Sequence, residues 1–123
     1  MKYEIAILSI NDFIENVLKI KLGNITLEVL TLNLPTVIDK DARYLVDLEP
    51  KVFDEYEVFE TDDDVGLKKI GKSLSYDVVG TLIDGAIHIG EISIFDEFLL
   101  SDYGYLENKK VKWKVDRFDI DFE

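Results

Sequence analysis

The sharpest pattern of apolar and polar positions lies in residues 18–29, which read Leu18-Lys19-Ile20-Lys21-Leu22-Gly23-Asn24-Ile25-Thr26-Leu27-Glu28-Val29. Two alternating runs flank a Gly-Asn pair, and glycine adopts the positive φ angle that a two-residue hairpin turn demands. Pairing across that turn sets Leu22 against Ile25, Ile20 against Leu27 and Leu18 against Val29. All six apolar side chains then share one face, while Lys19, Lys21, Thr26 and Glu28 share the other. A slip of one residue would exchange the faces, so the register is strongly specified. A rival reading makes residues 12–22 a helix, with Asp12 as cap, Glu15 three residues on and Gly23 at its end. The hairpin accounts better for residues 18–29 and leaves room for a short helical turn near 12–16.

Other segments follow the same logic. Residues 3–9 alternate with Tyr3, Ile5 and Ile7 on one face, which predicts a first strand ended by Asn11-Asp12. Beyond Pro35, Thr36 and Asp39 resemble a capping box, and Ile38, Ala42, Leu45 and Leu48 follow at helical spacing up to Pro50. This predicts a short helix over 36–48, with a strand over 43–48 as the alternative. A strand is expected over 55–60 and a solvated loop over 61–66. Asp84-Gly85 predicts a second hairpin between 74–83 and 86–94. Within its return arm Ile87 and Ile89 differ in parity from Ile92 and Ile94, so a bulge at Gly90-Glu91 is expected to restore one face. In the last strand, 110–122, Val111, Trp113 and Val115 are odd, whereas Phe118, Ile120 and Phe122 are even. The shift at Asp116-Arg117 implies a bulge, or a strand passing from one layer of the core to another. The expected fold is all-β with at most one short helix: a small antiparallel, partly open barrel or sandwich of about six or seven strands. No repeat, low-complexity tract or linker interrupts it, so a single domain over 1–123 is expected.

Composition supports a folded core, since 47% of the 123 residues are hydrophobic. The absence of cysteine excludes disulfides, thiolate metal sites and thiol nucleophiles, and leans toward a reducing compartment. The N-terminal apolar run is too short for a signal peptide, and no run is long enough for a helical membrane span. A soluble, cytoplasmic protein is expected. The sequon Asn24-Ile25-Thr26 is read as accidental without a secretion signal.

Net charge changes the picture more. At -12, with 26 acidic and 14 basic residues, the chain repels nucleic acid and anionic membranes and attracts basic proteins and cations. Solubility alone is the competing explanation.

Catalytic and cofactor chemistry finds little support. His88 is the single histidine, it falls opposite the Ile87/Ile89 face, and no Gly-x-Ser-x-Gly accompanies it. No glycine-rich phosphate loop follows a strand. Asp62-Asp63-Asp64-Val65-Gly66 fits no frame of a calcium-binding loop. Among 26 acids, no pair stands out for glycoside hydrolysis. No catalytic residue, metal ligand or cofactor is predicted.

The acids are unevenly spread. Residues 39–64 hold Asp39, Asp41, Asp47, Glu49, Asp54, Glu55, Glu57, Glu60, Asp62, Asp63 and Asp64 against Lys40, Arg43 and Lys51. Tyr44, Phe53, Tyr56 and Phe59 are interleaved; Phe59 and Phe53 read as core residues, and the two tyrosines fit either role. Carboxylates beside aromatic anchors are what a binder of a basic protein presents. Tyr44, Asp54, Glu55, Tyr56, Glu57, Asp62, Asp63 and Asp64 are the expected partner-binding residues. Lys109, Lys110, Lys112, Lys114 and Arg117 gather near the last strand, where they pair with the acidic segment, bind an anion or guard a sheet edge. In composition the chain is similar to bacterial immunity proteins that neutralise nuclease toxins: small, acidic and free of catalytic motifs. The alternatives are an assembly subunit of a phage or secretion particle, and a small-ligand binder or hydrolase with a carboxylate-lined pocket.

Overall fold

The computed structural model describes residues 2–39 and 42–123. Its strands are β1 (Lys2–Ile10), β2 (Val17–Leu22), β3 (Ile25–Thr31), β4 (Tyr44–Lys51), β5 (Val58–Glu60), β6 (Gly66–Lys69), β7 (Tyr76–Ile83), β8 (Ala86–Ile89), β9 (Ile92–Phe95), β10 (Lys110–Val115) and β11 (Arg117–Phe122). One helix, α1 (Glu97–Asp102), and a 3-10 turn at Gly104–Leu106 lie between β9 and β10. The fold is therefore all-β with one short helix. The chain divides into two compact units, Met1–Pro50 with Arg117–Glu123, and Lys51–Asp116. No change of composition marks the division at Pro50-Lys51 or at Asp116-Arg117.

The first unit is a closed barrel in the order β1-β2-β3-β11-β4. Its β2–β3 hairpin has the expected register: Leu22 faces Ile25, Ile20 faces Leu27 and Leu18 faces Val29. Gly23 takes φ 60° at the turn. Leu18, Ile20, Leu27 and Val29 are fully buried with Ile5, Ile7, Val46 and Phe118. Closure leaves no unpaired edge, and it is completed by a parallel contact in which Asp119 pairs with Leu30 and Ile120 with Thr31. That parallel pair departs from the antiparallel, partly open expectation.

Among the described residues of the predicted segment 36–48 no helix is present, and Tyr44 to Leu48 belong to β4. Val46 and Leu48 are buried two residues apart while Leu45 is exposed, so burial follows the strand period. Pairing with β1, Lys2 to Asp47 and Ile5 to Tyr44, overrides the helical spacing. Lys40 and Asp41 lie outside the described residues. Residues 12–16 form bends and a turn, not a helical turn.

The second unit is a sheet in the order β5-β10-β7-β8-β9, with β6 also paired to β7. Asp84 and Gly85 have φ 50° and 79°, the two positive angles of a type I′ turn. The expected bulge at Gly90-Glu91 is a second tight turn, with Gly90 at φ 60° and Ile89 paired to Ile92. Because Ile87 also pairs with Ile94, the four isoleucines still share a face, by a different device. The strand predicted over 55–60 is shortened to β5, since only Val58 of that stretch is buried.

Between β10 and β11 the burial phase changes at Asp116. Val111, Trp113 and Val115 are fully buried in the second unit, whereas Phe118 and Ile120 are core residues of the barrel unit. The shift of parity visible in the sequence marks where the chain passes from one core to the other. Among the described residues no helix is long and apolar enough to cross a membrane.

Two substitutions test this packing. Phe118→Ala removes a fully buried ring and is expected to cost about 3–5 kcal/mol. At Gly80 an added Cβ meets the His88 backbone carbonyl and the Ile87 side chain, so Gly80→Ala is expected to cost about 1–3 kcal/mol by overpacking. Urea denaturation measures both; a Gly80→Ala protein as stable as the parent contradicts the close β7–β8 approach.

Candidate functional site

The acidic segment is shared between the two units. Tyr44 belongs to the barrel unit, and Asp54, Glu55, Tyr56, Glu57, Asp62, Asp63 and Asp64 to the second. The Tyr44 hydroxyl accepts from the Asp39 backbone N–H at 2.8 Å, and its ring meets Phe122 edge-on at 5.6 Å. Tyr44 is thus committed to its own unit. Asp54 and Glu55 are exposed in the irregular stretch before β5. Phe53 and Phe59, read from sequence as core residues, are instead exposed. On β5 it is Val58 that faces the interior, paired with Trp113, which forces Phe59 outward.

Tyr56 is the centre of an aromatic cluster. Its hydroxyl donates to Asp96 Oδ2 at 2.7 Å. Its ring stacks on Tyr103 at 5.6 Å and an interplanar angle of 23°, meets Phe98 at 60° and lies 5.6 Å from the buried ring of Trp113. The Tyr103 hydroxyl donates to the Tyr56 carbonyl at 2.9 Å, and Tyr105 follows at 6.0 Å. Asp96 also caps α1 by accepting from the Phe98 N–H at 3.2 Å. One carboxylate therefore fixes both Tyr56 and the start of the helix. Beyond this support, Phe98 is 58% exposed and Tyr105 74% exposed.

The electrostatics of this cluster are one-sided. Burial, then the hydrogen bond and charge of Asp96, hold the Tyr56 hydroxyl far above the ordinary tyrosine range, with Tyr103 and Asp102 adding to the effect. Burial, Tyr105, Asp102 and Glu57 push Tyr103 up as well. The charged side chains acting on both hydroxyls are carboxylates. Such a surface holds its phenols neutral at ordinary pH and offers ring faces in a negative potential, the environment that favours a guanidinium or ammonium group. Glu57 and Tyr56 were expected here from sequence; Asp96, Phe98, Asp102, Tyr103 and Tyr105 were not. The signal that would have found them is Asp96 followed by Glu97 and an apolar pair, a capped first turn. It is weak because Leu99 is the only buried residue of α1.

Asp62, Asp63 and Asp64 line a separate groove of about 770 Å³ together with Lys68, Lys69, Asp77 and Lys112. Asp63 forms an ion pair with Lys112, so at least one lysine of the last-strand cluster pairs with the acidic segment. That hydrogen bond and charge hold the Asp63 carboxyl below its usual range. Arg117 turns instead to Asp119, with Nε at 2.6 Å and Nη2 at 3.0 Å from its two oxygens. His88 is exposed, flanked by Thr81 and Ser93 on the neighbouring strands.

The barrel unit has its own acidic groove of about 530 Å³, lined by Asp47, Glu49, Asp119 and Asp121 over Leu30, Leu32 and Ile120. In the loop between β1 and β2, Asn11 Oδ1 accepts from the Phe13 and Ile14 N–H groups, both at 2.8 Å. The loop thereby holds Phe13 98% exposed, between Asp12 and Glu15. Among the described residues no group of His, Cys, Asp and Glu is arranged to hold a metal ion.

The chain belongs to the family described as "Uncharacterised conserved protein UCP019853", whose model matches residues 1–123. No curated protein and no solved structure matches it.

The Tyr56 hydroxyl gives a prediction with a defined sign. A phenol whose folded-state value lies above its ordinary 10.0 stabilises the fold fully below about pH 10, and that contribution falls as pH rises above it. The urea midpoint is therefore expected to decline above pH 10, and to decline less steeply in Tyr56→Phe. Parallel curves for the two proteins contradict the assignment.

Proposed function

We propose that this protein is a non-catalytic acidic binding module that engages a basic protein partner, an immunity protein against a nuclease toxin being one example. The observation that carries this reading is the aromatic cluster of exposed Phe98 and Tyr105 with half-buried Tyr103, supported by the Tyr56–Asp96 hydrogen bond and by Glu57 and Asp102 nearby. Aromatic side chains with two rotatable angles lose little entropy on binding, and such residues dominate interface energetics. Carboxylates around them raise the encounter rate with a cationic surface and exclude acidic competitors. In the barrel unit, Phe13 and Ile14 repeat the theme, since apolar side chains are held in solvent beside Asp12 and Glu15. The excess of carboxylates over the whole chain supports the same sign of partner.

The test uses a fluorescent arginine-rich peptide and a glutamate-rich control of equal length, with association followed by stopped flow. The arginine peptide is expected to bind with a rate that falls steeply with added salt. Glu57→Gln with Asp102→Asn lowers the rate further. Tyr105→Ala leaves the rate nearly unchanged and weakens affinity by about 2 kcal/mol, as an anchor in the contact would. Rates indifferent to salt and to the neutralising substitutions contradict the reading.

A further inference from the structure

The link from β5 to β6 crosses the sheet. β5 lies on the outer side of β10, and β6 on the far side of β7. Residues 61–65 therefore span three strand spacings, about 14 Å, with a reach of about 20 Å for the six steps from Glu60 to Gly66. There is little slack, and the segment runs across the sheet as a strap.

The face it covers follows from register. Phe59, Lys112, Val79 and Gly66 form one row across β5, β10, β7 and β6. Lys114, Asp77 and Lys68 form the next. Trp113 and Val78 point the opposite way, into the core, so this row faces outward. Val79 is nonetheless only 4% exposed, and it lines one groove with the strap residues Asp62, Asp63, Asp64 and Val65. Thr61 donates its N–H to the Lys110 carbonyl at 3.0 Å, Asp63 donates its N–H to Thr61 Oγ1 at 3.2 Å, and the Asp63 carboxylate reaches Lys112. Lys68 and Lys110 add their attraction to the same carboxylate. The groove beside the strap, about 770 Å³, includes Lys68, Lys69 and Lys112, a volume suited to a small molecule.

We propose that this groove is an anion site for a phosphate-bearing small molecule, and that Asp63 of the strap occupies the ligand's place on Lys112 when the site is empty. Three lysines act on Asp63, and one carboxylate neutralises only one of them. A phosphate group carries about 1.5 to 2 negative charges at neutral pH and accepts from several ammonium groups at once. With Asp63 displaced, Lys68, Lys69, Lys110 and Lys112 stand against Asp62, Asp64 and Asp77, so the face gains positive charge as the strap carboxylate leaves. This is independent of the binding of a basic partner at Phe98, Tyr103 and Tyr105, because it uses different residues.

Tripolyphosphate is the probe, titrated at low salt by calorimetry. Asp63→Asn is expected to bind it at least tenfold more tightly than the parent, and Lys112→Gln added to Asp63→Asn is expected to abolish the gain. In the parent protein, which needs no substitution to fold, saturating tripolyphosphate shifts the backbone amides of residues 62–64, 68 and 112 in a nitrogen–proton correlation spectrum. Equal binding in all three proteins overturns the proposal. So do amide shifts in the parent that leave the strap untouched.

Discussion

The alternation of β10 is the constraint on which the second unit rests. Val111, Trp113 and Val115 are fully buried, and burial of rings and branched chains on this scale contributes several kcal/mol. Each inward residue fixes its neighbour outward. Trp113 fills the interior and stands 5.6 Å from the Tyr56 ring. Tyr56 in turn holds Asp96, Asp96 caps α1, and α1 exposes Phe98. One residue before Trp113 in β10, Lys112 points the other way and holds the strap through Asp63. The aromatic face and the lysine groove are thus consequences of a single strand's parity. The arrangement has one unfavourable feature: Trp113 Nε1 is buried with no acceptor among the described residues, a cost that its packing has to offset.

Charge is organised on top of this frame. Where a carboxylate has a partner in its own unit, as Asp63 has Lys112 and Asp119 has Arg117, it tethers the local structure. Glu57 and Asp102 instead act on tyrosine hydroxyls, which they cannot neutralise. An acidic protein that only needed solubility would gain nothing from setting acids around aromatic rings in solvent, since exposed rings work against solubility. The pairing of the two features is what supports the proposed binding role over solubility alone.

The parts of the fold legible in the sequence were those with local causes. The register of the β2–β3 hairpin follows from Gly23 and the alternation around it, and the change of core at Asp116 shows as a shift of parity between Trp113 and Phe118. The parts that were not legible depend on distant partners. Leu45 and Leu48 fit a helix until β1 is present to pair with β4. Gly90 fits a bulge or a turn equally, because both satisfy the same isoleucines. In the candidate site, Tyr56 and Glu57 were visible as aromatic and acid in one short stretch. Their supports Asp96 and Tyr103 are forty or more residues away, and nothing local connects them. Tyr44 and Asp63 were read as surface groups for a partner, but each already has one within its own unit.

The most direct measurement is hydrogen–deuterium exchange of the protein with and without octa-arginine, in the parent and in Asp96→Ala. The account predicts slowed exchange over residues 53–57 and 96–105 in the parent, and loss of that protection when Asp96 no longer holds Tyr56 and the helix cap. Protection spread evenly over every acidic stretch, or unchanged by Asp96→Ala, would mean that net charge alone attracts the peptide and that the aromatic face has no part in recognition.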